Sequence, residues 1–103
     1  MIAEANKVEI SGVITELKPL RHTPAGIPVV EFRLRHVSER VEAGAKRKVE
    51  ADIEALAFEA QARLVAAASL GRALTAEGFL SRKSRTSQKP VLHVTNIEFN
   101  EGH

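Results

Sequence analysis

Three features of the sequence predict a small, mainly β fold of five strands with one short helix between the third and fourth. Apolar and polar residues alternate in several separate stretches, prolines and glycines collect between those stretches, and one alanine-rich segment breaks the alternation past the middle of the chain. With 103 residues the chain suits one domain, expected to span 1-103 with an ordered core over about 6-99.

The first strand is "KVEISGVITEL", where Val8 and Ile10 share a side and Gly12 marks a break at which a strand can bulge. In "KPLRHTPAGIP", Pro19, Pro24, Gly26 and Pro28 exclude a helix or a central strand and predict a structured loop. "VVEFRLRHV" alternates cleanly, with Val30, Phe32 and Leu34 on one face and Glu31, Arg33 and Arg35 on the other. A polar connection, "SERVEAGAK", leads to a third strand in "RKVEADIEALAF", where Val49, Ala51 and Ile53 oppose Glu50, Asp52 and Glu54. Helix formers dominate "EALAFEAQARLVAAASL", and Gly71 supplies the stop. "RALTAEGFLS", with a bend at Gly78, and "PVLHVTNIEF", opened by Pro90, complete the strands.

This order matches a five-stranded Greek-key barrel of the OB type, although other small barrels and α+β domains share the count. In an OB barrel the loop between strands one and two and the loop between strands four and five flank a face that binds oligonucleotides. Here those loops contain "KPLRHTPAG" and "SRKSRTSQK", the second holding Arg82, Lys83, Arg85 and Lys89 with no acid, within a chain whose net charge is only +2. A solvated, flexible hairpin is the plain alternative for that stretch. The chain has no cysteine, which excludes disulfides and thiolate chemistry and fits a reducing compartment. Nothing resembles a signal peptide or a membrane span, so a cytoplasmic protein is expected. Glycine-rich phosphate loops, GxSxG and HExxH are absent, and no enzymatic activity and no cofactor are expected.

The stretches "ISGVITELKPLRHTPAGIPVVEFRLRHVS", "EAGAKRK" and "GFLSRKSRTSQKPVLHVTNIE" resemble the primosomal replication protein N (PriB) family across Asn6 to Glu98. The resemblance implies an OB-fold homodimer that binds single-stranded DNA without sequence preference and stimulates the restart helicase PriA, alongside other primosome proteins, near the nucleoid. It also implies that Arg21 occupies a cation position of the first loop, with His22 at a second one. Arg47, flanked by Lys46 and Lys48, continues a basic edge into strand three, and Arg82, Lys83, Arg85 and Lys89 correspond to a lysine-rich loop. Two aromatic positions of better-known members fall at Ala45 and Glu50. The chain ends at "NEGH", which argues against a general coating protein with a long disordered tail.

The candidate nucleic-acid-binding residues are therefore Lys18, Arg21, His22, Arg35, Lys46, Arg47, Lys48, Arg82, Lys83, Arg85 and Lys89. Arg33 and Arg35 also fit plain surface ion pairs with Glu31. Glu50, Asp52 and Glu54 share one strand face and would repel phosphate from it. With no Trp or Tyr, and with Phe32, Phe58, Phe79 and Phe99 in strand patterns that suggest burial, stacking should be weak and electrostatics dominant. His36, His93 and His103 lack a second ligand at metal spacing, so no metal is expected. The alternative function is a protein-interaction adaptor whose basic loop binds an acidic partner surface.

Overall fold

The computed structural model describes residues 2–100; Met1 and residues 101–103, including His103, lie outside the described residues. The elements are β1 (Val8–Leu17), β2 (Arg21–His22), β3 (Pro28–Glu42), β4 (Ala45–Phe58), α1 (Glu59–Ala66), β5 (Ala73–Arg82) and β6 (Pro90–Phe99). The five long strands close into a barrel in the order β1, β5, β6, β4, β3, with β3 returning to β1 and α1 between β4 and β5. This is the OB arrangement.

Alternation fills the barrel. Val30, Phe32 and Leu34 from β3 meet Ile14, Ala55, Ala57, Leu74, Ala76, Leu92 and Val94 in one buried cluster. α1 closes one end by inserting Ala62 and Val65. The change of pattern near Ala55 has a physical cause: Ala55, Leu56 and Ala57 are all buried, because β4 is covered on both faces there. Strand geometry persists to Phe58. No side chain caps the helix, and Glu59 takes a left-handed φ of 54° at the corner, so the usual N-terminal sequence signal is missing.

Four expectations need correction. The stretch "SERVEAGAK" is no irregular connection: β3 and β4 pair continuously from Val29 and Phe58 out to Glu42 and Ala45, and turn at Ala43 and Gly44 with φ of 51° and 79°. Both positive angles suit the tight two-residue turn that matches strand twist. The first loop contains a two-residue strand, Arg21–His22, paired with Pro28 and Val29. The bulge expected at Gly12 falls between Ile14 and Glu16. Gly12 is needed for another reason, since a Cβ there would lie 2.7 Å from the Arg35 carbonyl oxygen. Finally, Arg82 belongs to β5, paired with Pro90, so the basic loop proper begins at Lys83. The bend expected at Gly78 is present as a register shift between Glu77 and Gly78.

Candidate nucleic-acid interface

Residues 29, 31, 33 and 35 of β3 and residues 54, 56 and 58 of β4 project outward, opposite the core set. The basic loop folds over this outer face. Lys83 forms an ion pair with Glu31, and the same carboxylate receives Lys18 at 3.8 Å and Arg21 at 3.4 Å. Three cations from the loop after β1, from β2 and from the loop after β5 thus meet on one acid of β3, leaving a formal charge of +2. The Lys83 hydrogen bond and the surrounding cations hold the Glu31 carboxyl below its ordinary pKa of 4.5, against the partial burial that would raise it. Beneath Lys83 lies a cleft of about 80 Å³ whose wall includes Leu56 and Val91.

The outward acids of β4 are also matched. Direct cross-strand pairing sets Arg33 opposite Glu54 and Arg35 opposite Asp52, with N···O distances of 3.2 and 3.1 Å. Lys89 reaches Glu54 at 3.5 Å, and Lys48 reaches Glu50 at 2.9 Å. These partners lower the carboxyl pKa of Glu50, Asp52 and Glu54, chiefly through the Lys48 hydrogen bond, the Arg35 hydrogen bond and the Lys89 charge respectively. The acidic row is therefore a set of compensated pairs rather than a bare repulsive strip.

The candidate cations separate into two groups. Lys18, Arg21, Lys83 and Lys89 gather on the barrel, whereas Lys46, Arg47 and Lys48 pair with Val41, Arg40 and Glu39 near the hairpin tip. Eight residues along β4 separate Lys48 from Leu56, roughly 27 Å at the usual strand rise. Arg35 lies between the groups. Arg47 is engaged by Glu42 at 2.6 Å. Among the described residues, His22, Lys46, Arg82 and Arg85 make no ion pair. Arg82 donates instead to the Arg85 carbonyl at 3.2 Å, which tightens the base of the loop.

The aromatic residues depart from expectation. Phe32 is buried as its alternation requires, but Phe58 and Phe79 are 39% and 40% exposed. Both stack on His93: Phe79 with ring centroids 5.2 Å apart and planes at 18°, Phe58 at 6.3 Å and 23°. His36 serves β-structure, with Nδ1 2.7 Å from the Ser11 carbonyl and Nε2 2.9 Å from the Ser38 hydroxyl. No group of three or more potential metal ligands occurs among the described residues. No helix among them is long and apolar enough to cross a membrane.

Residues 6–96 match the family model described as "Another single-strand binding protein family". Over 89 residues the chain is 42% identical to replication restart protein PriB of Nitrosomonas europaea, covering 86% of this chain and 82% of that protein. The chain belongs to the PriB family. A solved PriB structure from Ralstonia solanacearum superposes with a TM-score of 0.85 at 30% identity, covering 95% of this chain and all of that one. The single-stranded DNA binding protein from Thermus aquaticus shares the fold, with a TM-score of 0.78 at 22% identity over 95% of this chain and 51% of that one. The PriB relatives are named as replication restart proteins, not as enzymes.

Within this PriB-family barrel, the two positions at which aromatics are implied, Ala45 and Glu50, lie on the outer half of the hairpin. Glu50 is occupied by Lys48. The exposed rings sit instead at Phe58 and Phe79, with the half-buried His93 stacked between them. Their signal was present in the phase of the alternation. Phe58 continues the outward set of Asp52 and Glu54, and Phe79 follows the inward run of Leu74, Ala76 and Gly78.

Proposed function

We propose that this chain is a cytoplasmic, nucleoid-associated accessory factor of bacterial replication restart that binds single-stranded DNA non-specifically as a homodimer and stimulates the restart helicase PriA during primosome assembly. The observation that carries the reading is the meeting of Lys18, Arg21 and Lys83 on the outer barrel face of a PriB-family chain. A phosphate arriving there exchanges with the Glu31 carboxylate, so the loops that hold the acid also hold the strand. Phosphate contacts carry no sequence information, which fits non-specific binding. Self-association has a candidate edge in the first half of β1, which pairs with β5 through Val8–Gly12 while its pairing with β3 begins only at Val13.

The test is fluorescence anisotropy of labelled oligo-dT, with a duplex control, at several salt concentrations. For single strands log K falls with log salt by about 0.7 per phosphate neutralised, so the slope counts contacts. Combined reversal of Arg82, Lys83 and Arg85 to Glu should nearly abolish binding and flatten the slope; unchanged affinity overturns the site. A second reading, an adaptor that acts through protein contacts, is favoured by one observation: seven of the eleven candidate residues already face carboxylates. Under that reading the reversed variant loses helicase stimulation while a weak DNA affinity barely moves.

A further inference from the structure

The strand register sets Glu31, Leu56, His93 and Phe79 in one row across β3, β4, β6 and β5. Residues paired side by side share a face, so all four lie on the outer face of the barrel, where Leu56 is buried in the cleft that Lys83 also lines. The row begins at the carboxylate that gathers three cations and ends in the aromatic stack. Two strand spacings, about 10 Å, separate Glu31 from His93. From His93 the stack reaches Phe79 on one side and Phe58 on the other. Phe58 pairs with Val29, which pairs with Arg21, so the basic residues border the rings from that side too.

The stack is aromatic at all three places, with nearly parallel planes, and both terminal rings are two-fifths exposed. His93 Nε2 has no hydrogen-bond partner among the described residues, so no polar network explains the ring's position. The parts of Phe58 and Phe79 left uncovered by His93, beside the cations gathered on Glu31, suit one kind of ligand, in which planar groups alternate with anions. Pairing this face with a second copy would bring two +2 clusters together.

We propose that Phe58, His93 and Phe79 form a base-stacking platform for single-stranded nucleic acid whose phosphates lie on Lys18, Arg21 and Lys83. This rests on reading the basic loops as a DNA site. The platform supplies, on β4, β6 and β5, the rings that the hairpin lacks at Ala45 and Glu50.

The test compares oligo-dT with an abasic oligonucleotide of equal length, using the full chain. Phe58→Leu and Phe79→Leu should each weaken oligo-dT binding about fivefold or more, the low end of one lost base stack. The salt slope and the abasic affinity should stay unchanged. Because the chain has no Trp or Tyr, Phe79→Trp adds a sole tryptophan; it should retain affinity and be quenched by oligo-dT but not by the abasic strand. Wild-type oligo-dT affinity in both Leu variants, with a normal slope, overturns the platform and leaves the basic-loop site standing. A wild-type chain that binds neither strand removes the DNA reading itself. A fall in sedimenting mass in the Leu variants assigns the rings to a contact between copies and also overturns the platform.

Discussion

The β3–β4 hairpin is one continuous ladder with two unlike halves. From Pro28 to Arg35, and from Asp52 to Phe58, it closes the barrel, buries Val30, Phe32, Leu34, Ala55 and Ala57, and receives the loop cations on its outer face. Beyond His36 and Ala51 it projects past the core, and Val37 and Val41 are 53% and 73% exposed. The backbone hydrogen-bonding pattern is the same in both. What differs is the cover. The inner half is held by burial, and the outer half by its turn and by ion pairs such as Arg47 to Glu42, which contribute little on a surface.

The largest effect should come from breaking the barrel at Gly78. A Cβ there would collide with the His93 carbonyl, coming within 2.8 Å of its carbon and 3.1 Å of the Val94 Cα. Because both obstacles are backbone, β5 and β6 must separate. Gly78→Ala should cost about 3 kcal/mol, the upper range for overpacking, read as a lower denaturant midpoint. Next in size, reversing Lys46, Arg47 and Lys48 to Glu should weaken oligo-dT binding by far less than reversing Lys18, Arg21 and Lys83. Equal losses in anisotropy would show that the two halves form a single DNA track.

Glu31→Gln should act in the opposite direction. It removes the acid that competes for three cations, so binding should strengthen several-fold and the salt slope should steepen by about 0.7 for each phosphate gained. The pH dependence has a definite sign. Glu31, Glu50, Asp52 and Glu54 titrate below their ordinary values of 4.5 and 3.8, so the folded chain binds fewer protons than the unfolded one near those pH values. Their stabilisation stands above about pH 5 and is lost as pH falls through the depressed values. Thermal melts should be level between pH 8 and 5 and drop below pH 4.5, less steeply in Glu31→Gln. The smallest change concerns the tip: Ala43→Gly relieves a left-handed φ of 51° and should protect the tip amides in hydrogen exchange while moving the global midpoint little.

The same contrast explains what could be read from sequence. Alternation reports one-sided burial, so Val30, Phe32 and Leu34 declared the inner strand plainly. The outer hairpin has no buried face, and nothing in "SERVEAGAK" distinguishes a two-sided exposed ladder from a loop. The helix start was blurred because Phe58 and Glu59 make the corner through backbone angles instead of a capping side chain. For the site, loop position and charge put Lys18, Arg21, Lys83 and Lys89 in one set with Lys46, Arg47 and Lys48. The structure gathers the first four on the barrel and places the last three near the hairpin tip. Composition could not reveal that Glu31 would gather Lys18, Arg21 and Lys83, which depends on the fold of the basic loop over β3. Phenylalanine in a strand pattern suggests burial, whereas the phase of the alternation places Phe58 and Phe79 outside.

Glu31 also sets what kind of anion can succeed at this surface. It is an anchored ligand for Lys18, Arg21 and Lys83, and a group tethered so closely acts as if present at an effective concentration on the order of millimolar or more. A lone phosphate or chloride must outcompete it at one point and gains nothing elsewhere. A polymer replaces it at one point and adds contacts at Lys89, at Arg82 and along the strand. Valency, not charge alone, then selects the partner, and free nucleotides should remain poor competitors for a site that a continuous strand can fill.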